Sequence, residues 1–107
     1  MSQPPSTYME FKNTYPDLTK AYENLGEECQ KAGPLDPKER AIAKLAIAVG
    51  AGLEGAVHSH ARRALDTGVT AGEIRHVVLL ALTTIGFPSM MRTLTWVEDV
   101  LLNPPTK

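Results

Sequence analysis

The sequence has one cysteine, no excess of either charge and no apolar run long enough to cross a bilayer. Cys29 alone cannot form an intramolecular disulfide, which fits a reducing compartment. Eleven basic residues against twelve acidic ones give a net charge of -1, so there is no electrostatic surface for nucleic acid or an anionic membrane. The longest apolar run, Val77 to Phe87, is much shorter than the roughly 20 residues that a transmembrane helix needs. We therefore expect a cytoplasmic protein without nucleic-acid or membrane partners.

Secretory, repeat and strand signals are also missing. The N-terminal "MSQPPSTYMEF" has no charged segment followed by an apolar one. No stretch alternates apolar and polar residues between turn signals, as a half-buried strand would. A chain of 107 residues fits one domain, whose core is modest because a domain of this size buries about two-thirds of the unfolded surface. The sequence predicts an all-α fold with short connections.

Helical spacing and capping residues predict about five main helices. Residues 1–15 are predicted as a tail with a short helical turn, and residues 16–103 as the helical domain. Pro16 suits a first helical turn, and the spacing of the apolar residues after it places Cys29 in the core.

The next two helices have clear boundaries in the sequence. In "LDPKER", Asp36 is a cap and Glu39 can complete a capping box. A central, alanine-rich helix is therefore expected over residues 37–51, and a further helix over residues 54–66, closed by Gly68.

Two apolar helices complete the prediction. "TAGE" is another capping box, and it begins a helix that runs to "GFP". The last helix follows Pro88 and is expected to bury one face, formed by Met91, Leu94, Val97 and Leu101.

The predicted helix between "TAGE" and "GFP" has no polar stripe along its second half. A small domain has few places to bury a helix on all sides, so a subunit interface would cover it. The alternative is that it forms the central helix of a monomer.

The order "LDPKERAIAKLAIAVGAG…HSHARRALDTGVTAGEIRHVVLLALTTIGFP" resembles the carboxymuconolactone decarboxylase family, which includes the alkyl hydroperoxidase D-like (AhpD-like) proteins. The resemblance spans residues 35–100. It rests on the "LDPKER" helix start, a histidine shortly before the glycine of "TGVTAGEI", the T-x-x-E-I start and the G-x-P of residues 86–88. It implies an AhpD-like helical domain that assembles as a homo-oligomer, a trimer or hexamer.

The redox branch of this family uses a C-x-x-C pair, a histidine and a glutamate. With His60 and Gly68 as anchors, those slots hold Leu53, Ala56 and Ala41 here, so only the histidine remains. Leucine and alanine cannot form a thiolate. The resemblance therefore implies a degenerate C-x-x-C site without thiol peroxidase activity of the family type.

The decarboxylase branch has no cysteines and has a charged R-E-R-type helix start, which the "KER" of residues 38–40 resembles. Decarboxylation needs a cation that holds a carboxylate and a proton donor, and Arg40 and His60 have those chemistries. Glu54 is the acidic residue near the histidine, and Thr84 stands where the family often has a tyrosine. The catalytic candidates are His60, Arg40 and Glu54, the substrate-binding candidates are Glu39, Thr84 and His58, and no cofactor is expected.

The two histidines of "HSH" do not share a helix face, since residues two apart are separated by about 200°. His60 is either an acid/base group or a buried ring that fills space. Glu54 and His58 lie four residues apart, which suits two metal ligands or a surface pair. No third ligand is evident, so no metal site is predicted. Met90, Met91 and Trp96 are expected to pack in the core or an interface.

Two functional classes follow. One is a cofactor-independent enzyme of decarboxylase or lyase type that acts on a small carboxylated or lactone-like molecule. The other is a non-catalytic oligomer that binds a small-molecule ligand in a degenerate AhpD-like site.

Overall fold

The computed structural model describes residues 6–103, whose regular structure is entirely helical. The helices are α1 (Ser6–Thr14), α2 (Pro16–Lys31), α3 (Pro37–Ala51), α4 (Glu54–Asp66), α5 (Ala71–Leu80) and α6 (Phe87–Leu101), with a 3₁₀ turn at Ala81–Thr83. They form two compact units, one of residues 6–35 with α1 and α2, and one of residues 36–103 with α3 to α6. The predicted all-α class is confirmed. Within residues 6–103, no helix is long and apolar enough to span a membrane.

The unit of residues 6–35 is a helical hairpin with little buried surface. The rings of Phe11 and Tyr15 lie 5.3 Å apart between centroids at the junction of the helices. Thr19 is buried, and its hydroxyl donates to the Tyr15 carbonyl at 2.9 Å. Lys12 on α1 lies 3.8 Å from Glu23 on α2.

Cys29 is exposed, so its predicted core position is wrong. The residues that share its helical spacing are exposed too, with Leu18 at 58%, Tyr22 at 69% and Leu25 at 60%. The periodicity that suggested burial therefore marks an apolar face of α2 that lies on the surface.

The unit of residues 36–103 contains the main core. Its fully buried side chains are Leu45, Val57, Ala61, Ala64, Ile74, Val78, Thr93 and Val97. They come from α3, α4, α5 and α6, so all four helices contribute to one cluster.

Capping residues fix the two ends of α3, and the predicted capping box is present at its start. The Asp36 carboxylate accepts from the Glu39 amide at 2.8 Å, and the Glu39 carboxylate accepts from the Asp36 amide at 2.9 Å. At the other end Gly52 has φ +67°, a left-handed conformation that glycine adopts without a Cβ clash. Its amide donates to the carbonyls of Ala48 and Val49.

The α5 helix ends earlier than the sequence predicts. The amides of Thr84, Ile85 and Gly86 converge on the Ala81 carbonyl at 3.0, 2.8 and 3.2 Å, which tightens the chain into the 3₁₀ turn. The Thr84 hydroxyl donates to the Leu80 carbonyl at 2.9 Å. These residues therefore provide hydrogen-bond donors for the last carbonyls of α5, and the helix does not continue to Phe87.

The buried face of α6 is rotated from the predicted one. Met90, Thr93, Val97 and Val100 are buried, whereas Met91 is 41% exposed. Thr93 can lie in the core because its hydroxyl donates within the helix, to the carbonyls of Ser89 at 3.0 Å and Met90 at 3.1 Å. A prediction of the buried face from apolar residues alone does not include such a threonine.

Candidate functional site

His60 lies on α4 as a half-buried imidazole near two basic side chains. Burial lowers the pKa of His60 below its ordinary value of 6.5, and the charges of Lys44 and Arg63 lower it further. Both effects disfavour the imidazolium. At neutral pH the ring is therefore neutral and able to accept a proton.

The packing of α3 against α4 sets this arrangement. Leu45, which follows Lys44 on α3, is buried, and so is Ala61, which follows His60 on α4. Arg63 follows His60 by three residues, which places both on one side of α4. Because the neighbouring residues are fixed in the core, the backbone positions of this group are fixed as well.

Arg40, a catalytic candidate, is partly buried on α3. It precedes Lys44 by one helical turn and lies on the same helix face. The charges that lower the pKa of His60, however, are those of Lys44 and Arg63. Lys44 is therefore a basic neighbour of His60 on the same face of α3 as Arg40, and the role of Arg40 stays a prediction.

Glu54 and His58 meet on another face of α4, together with Asp99 of α6. One ligand atom from each of the three residues lies within 4.8 Å of the others. The His58 Nε2 atom is 3.0 Å from the Asp99 Oδ2 atom. A nitrogen and two carboxylate groups at this spacing can hold a divalent metal ion.

Glu39 and Thr84, two substrate-binding candidates, have local structural roles. The Glu39 carboxylate is used in the α3 capping box. The Thr84 hydroxyl bonds the Leu80 carbonyl, and the residue also lines an apolar groove.

This groove has a volume of about 220 Å³ and lies between α3 and the end of α5. It is lined by Ile42, Ala46, Val49, Gly50, Val77, Leu80, Ala81, Thr84 and Ile85. Ile42 and Ala46 are each two residues from Lys44, which places them about 200° away, on the opposite side of α3. The groove and the His60 group therefore lie on different sides of α3.

The structure thus separates four of the predicted site residues into three places. His60 lies near basic side chains, Glu54 and His58 lie with Asp99, and Thr84 lines the groove. Sequence reasoning missed Lys44, Arg63 and Asp99 as members of these sites. The sequence does indicate that Arg63 is near His60, because the two are three residues apart on one helix. The approach of Asp99 to His58 instead depends on the packing of α6 against α4.

The exposed start of α4 carries the two positions that correspond to the cysteine pair of the resemblance. Leu53, which precedes the helix, is 58% exposed, and Ala56 is partly buried on the first turn. Neither side chain has a thiol or any other redox group.

Comparison with known proteins agrees with these observations. A sequence model of the carboxymuconolactone decarboxylase family matches residues 16–99. The fold is similar to the apo crystal structure of a carboxymuconolactone decarboxylase family protein from Legionella pneumophila, with a TM-score of 0.71 and 24% identity over 88% of this chain and 87% of that one. No curated protein matches the sequence. Since the family match covers most of the sequence, the chain belongs to the carboxymuconolactone decarboxylase family.

Proposed function

We propose that the chain is a cofactor-independent enzyme of decarboxylase or lyase type that acts on a small carboxylated or lactone-like molecule at His60. The observation that supports this most is the partly buried imidazole, whose pKa is lowered by burial, Lys44 and Arg63. Basic side chains hold substrate carboxylates, and a nearby imidazole is the commonest general acid/base.

The expected chemistry begins with binding of a carboxylate near Lys44 and Arg63. The negative charge offsets the two cations, so it raises the pKa of His60 and favours uptake of a proton. When the carbon–carboxylate bond breaks, its electron pair stays on the carbon and CO2 leaves. His60 then donates its proton to that carbon and is protonated again from water.

A thermal-shift experiment with small dicarboxylates and carboxylated lactones tests the binding step. A ligand at about 100 times its dissociation constant adds about 2.7 kcal/mol to the free energy of unfolding. We expect this stabilisation in the wild type and its loss in His60→Gln and Lys44→Met. His76→Gln is the matched control, because His76 is an exposed histidine on α5.

Turnover is measured by the loss of substrate and the release of CO2. The proposal requires activity in the wild type and in His76→Gln, with a large loss in His60→Gln. Equal stabilisation and equal turnover in all variants would show that His60 has no part in the function.

The apolar groove supports a second candidate, a non-catalytic protein that binds a small apolar molecule. Its lining is almost entirely aliphatic, with Thr84 as the one hydroxyl side chain. A ligand that stabilises the wild type and His60→Gln equally, but not an Ala46→Phe variant that fills the groove, would favour this candidate.

Assembly as a trimer or hexamer is part of the proposal. Its support is the set of apolar side chains exposed on α3 and at the end of α5, with Ile47 at 70%, Leu79 at 51% and Leu80 at 58%. A second copy would remove this apolar surface from water. A cytoplasmic location is also proposed, and it rests on the single cysteine.

A further inference from the structure

We propose that Glu54, His58 and Asp99 form a binding site for a divalent transition-metal ion, with Zn²⁺ as the best fit. Two of the residues lie one turn apart on α4, and the third lies on α6. They come together only in the folded chain, since His58 and Asp99 are 41 residues apart.

The spacing of the ligand atoms suits a small metal ion. They lie within 4.8 Å of one another, and His58 Nε2 and Asp99 Oδ2 are separated by 3.0 Å. Zinc bonds of about 2.0–2.2 Å in a tetrahedron place ligand atoms roughly 3.4 Å apart. Small side-chain rotations of the two exposed carboxylates therefore bring all three groups to bonding distance.

The core holds the backbone of the site in place. His58 follows Val57, which has no exposed surface, and Asp99 precedes Val100, which is 6% exposed. The side chains themselves face outward, with 26% of His58 and 54% of Asp99 exposed. Such a site has a fixed backbone and a route for the ion, and it leaves a fourth coordination position for water.

The chemistry of the three groups also suits a cation. Ionised carboxylates are acceptors only, and the imidazole offers a nitrogen lone pair. The contact between His58 and Asp99 uses one carboxylate and leaves Glu54 beside them with a like charge. A divalent ion neutralises both carboxylates, and the imidazole nitrogen favours zinc or a similar transition metal over Mg²⁺ or Ca²⁺.

The site is separate from the one proposed for decarboxylation. His58 and His60 are about 200° apart around α4, so the ion would lie on a different face from the imidazole of His60. Metal binding and turnover can therefore be tested independently.

The experiment uses the full chain without a histidine tag, freed of metal by a chelator and titrated with Zn²⁺ in a calorimeter. We expect one ion per chain. Loss of a ligand should weaken binding at least about tenfold, because even changes outside the first coordination shell cost 10–100-fold. The variants are His58→Ala and the isosteric Asp99→Asn and Glu54→Gln, and His76→Ala should bind as the wild type does.

Circular dichroism of each variant establishes that the helices are retained. Co²⁺ then serves as a paramagnetic probe, which should broaden the NMR signals of the His58 ring more than those of His76. Absence of stoichiometric Zn²⁺ binding in the wild type would overturn the proposal. Unchanged Zn²⁺ affinity in folded His58→Ala and Asp99→Asn would overturn it too, because the ion would then bind elsewhere.

Discussion

Replacement of Leu45 by alanine is expected to destabilise the unit of residues 36–103 strongly, whereas the same change at Ile47 should not. The two residues are close in sequence on α3, but Leu45 has no exposed surface and Ile47 is 70% exposed. Their comparison separates the contribution of the core from that of the apolar surface. It therefore tests both the packing of α3 and the assembly proposed for its outer face.

The magnitude follows from the surroundings of Leu45. Buried Leu→Ala changes cost about 2.7–5 kcal/mol, with the larger values where the structure cannot close around the cavity. The core cluster includes Ala48, Ala61 and Ala64, whose side chains have no rotamers with which to fill space. We expect a loss of about 3 kcal/mol, which lowers the melting temperature by about 12–24 °C in a domain of this size.

Urea and thermal unfolding, followed by circular dichroism, measure these free energies at low protein concentration. Light scattering of the same samples at high concentration measures assembly. Ile47→Ala should retain wild-type stability when dilute and should weaken self-association. A loss below about 1 kcal/mol for Leu45→Ala would refute the packing of α3 described above, and unchanged association in Ile47→Ala would contradict an interface at that residue.

Four further changes have expected outcomes. Asp36→Ala removes the α3 cap and should cost about 1 kcal/mol in urea unfolding, whereas Gly50→Ala should stabilise by about 0.5 kcal/mol because its Cβ would meet no atom within 4 Å. Hydrogen bonds from Arg75 to Glu98 lower the pKa of Glu98. Its stabilising contribution is therefore complete above the unfolded pKa of about 4.5, and the advantage over Glu98→Gln should disappear as the pH falls through the lower folded pKa. The pKa of His60 is also lowered, so the wild type should lose stability relative to His60→Gln as the pH falls below about 6.5, where the unfolded chain takes up the proton first.

Local signals in the sequence predict the helices best where a cap is present. The capping boxes at Asp36 and Thr70 give the starts of α3 and α5 correctly, because each depends on residues three positions apart. The end of α5 was mispredicted, since an apolar run looks the same whether it continues as α-helix or tightens into a 3₁₀ turn. The position of Cys29 was mispredicted because periodicity identifies an apolar face but does not establish what covers it.

The site residues show the same limit. The order of motifs singles out His60 and the empty cysteine positions, Leu53 and Ala56, without any structure. The neighbours of each functional side chain depend instead on how helices pack. Asp99 lies beside His58 only because α6 packs against α4. The charge of Lys44 affects the pKa of His60 only because α3 packs against α4.

The central claim is that His60 is a neutral imidazole in the free protein, near two cations that hold a substrate carboxylate, and that it takes up a proton when the carboxylate binds. The most direct measurement is an NMR titration of the His60 ring in the wild type and in Lys44→Met, with and without a small dicarboxylate. The predicted result is a wild-type pKa below 6.5 that rises when the dicarboxylate binds, and a higher pKa in Lys44→Met that the dicarboxylate changes little. A His60 ring that titrates at its ordinary value, and responds to neither change, would contradict the claim.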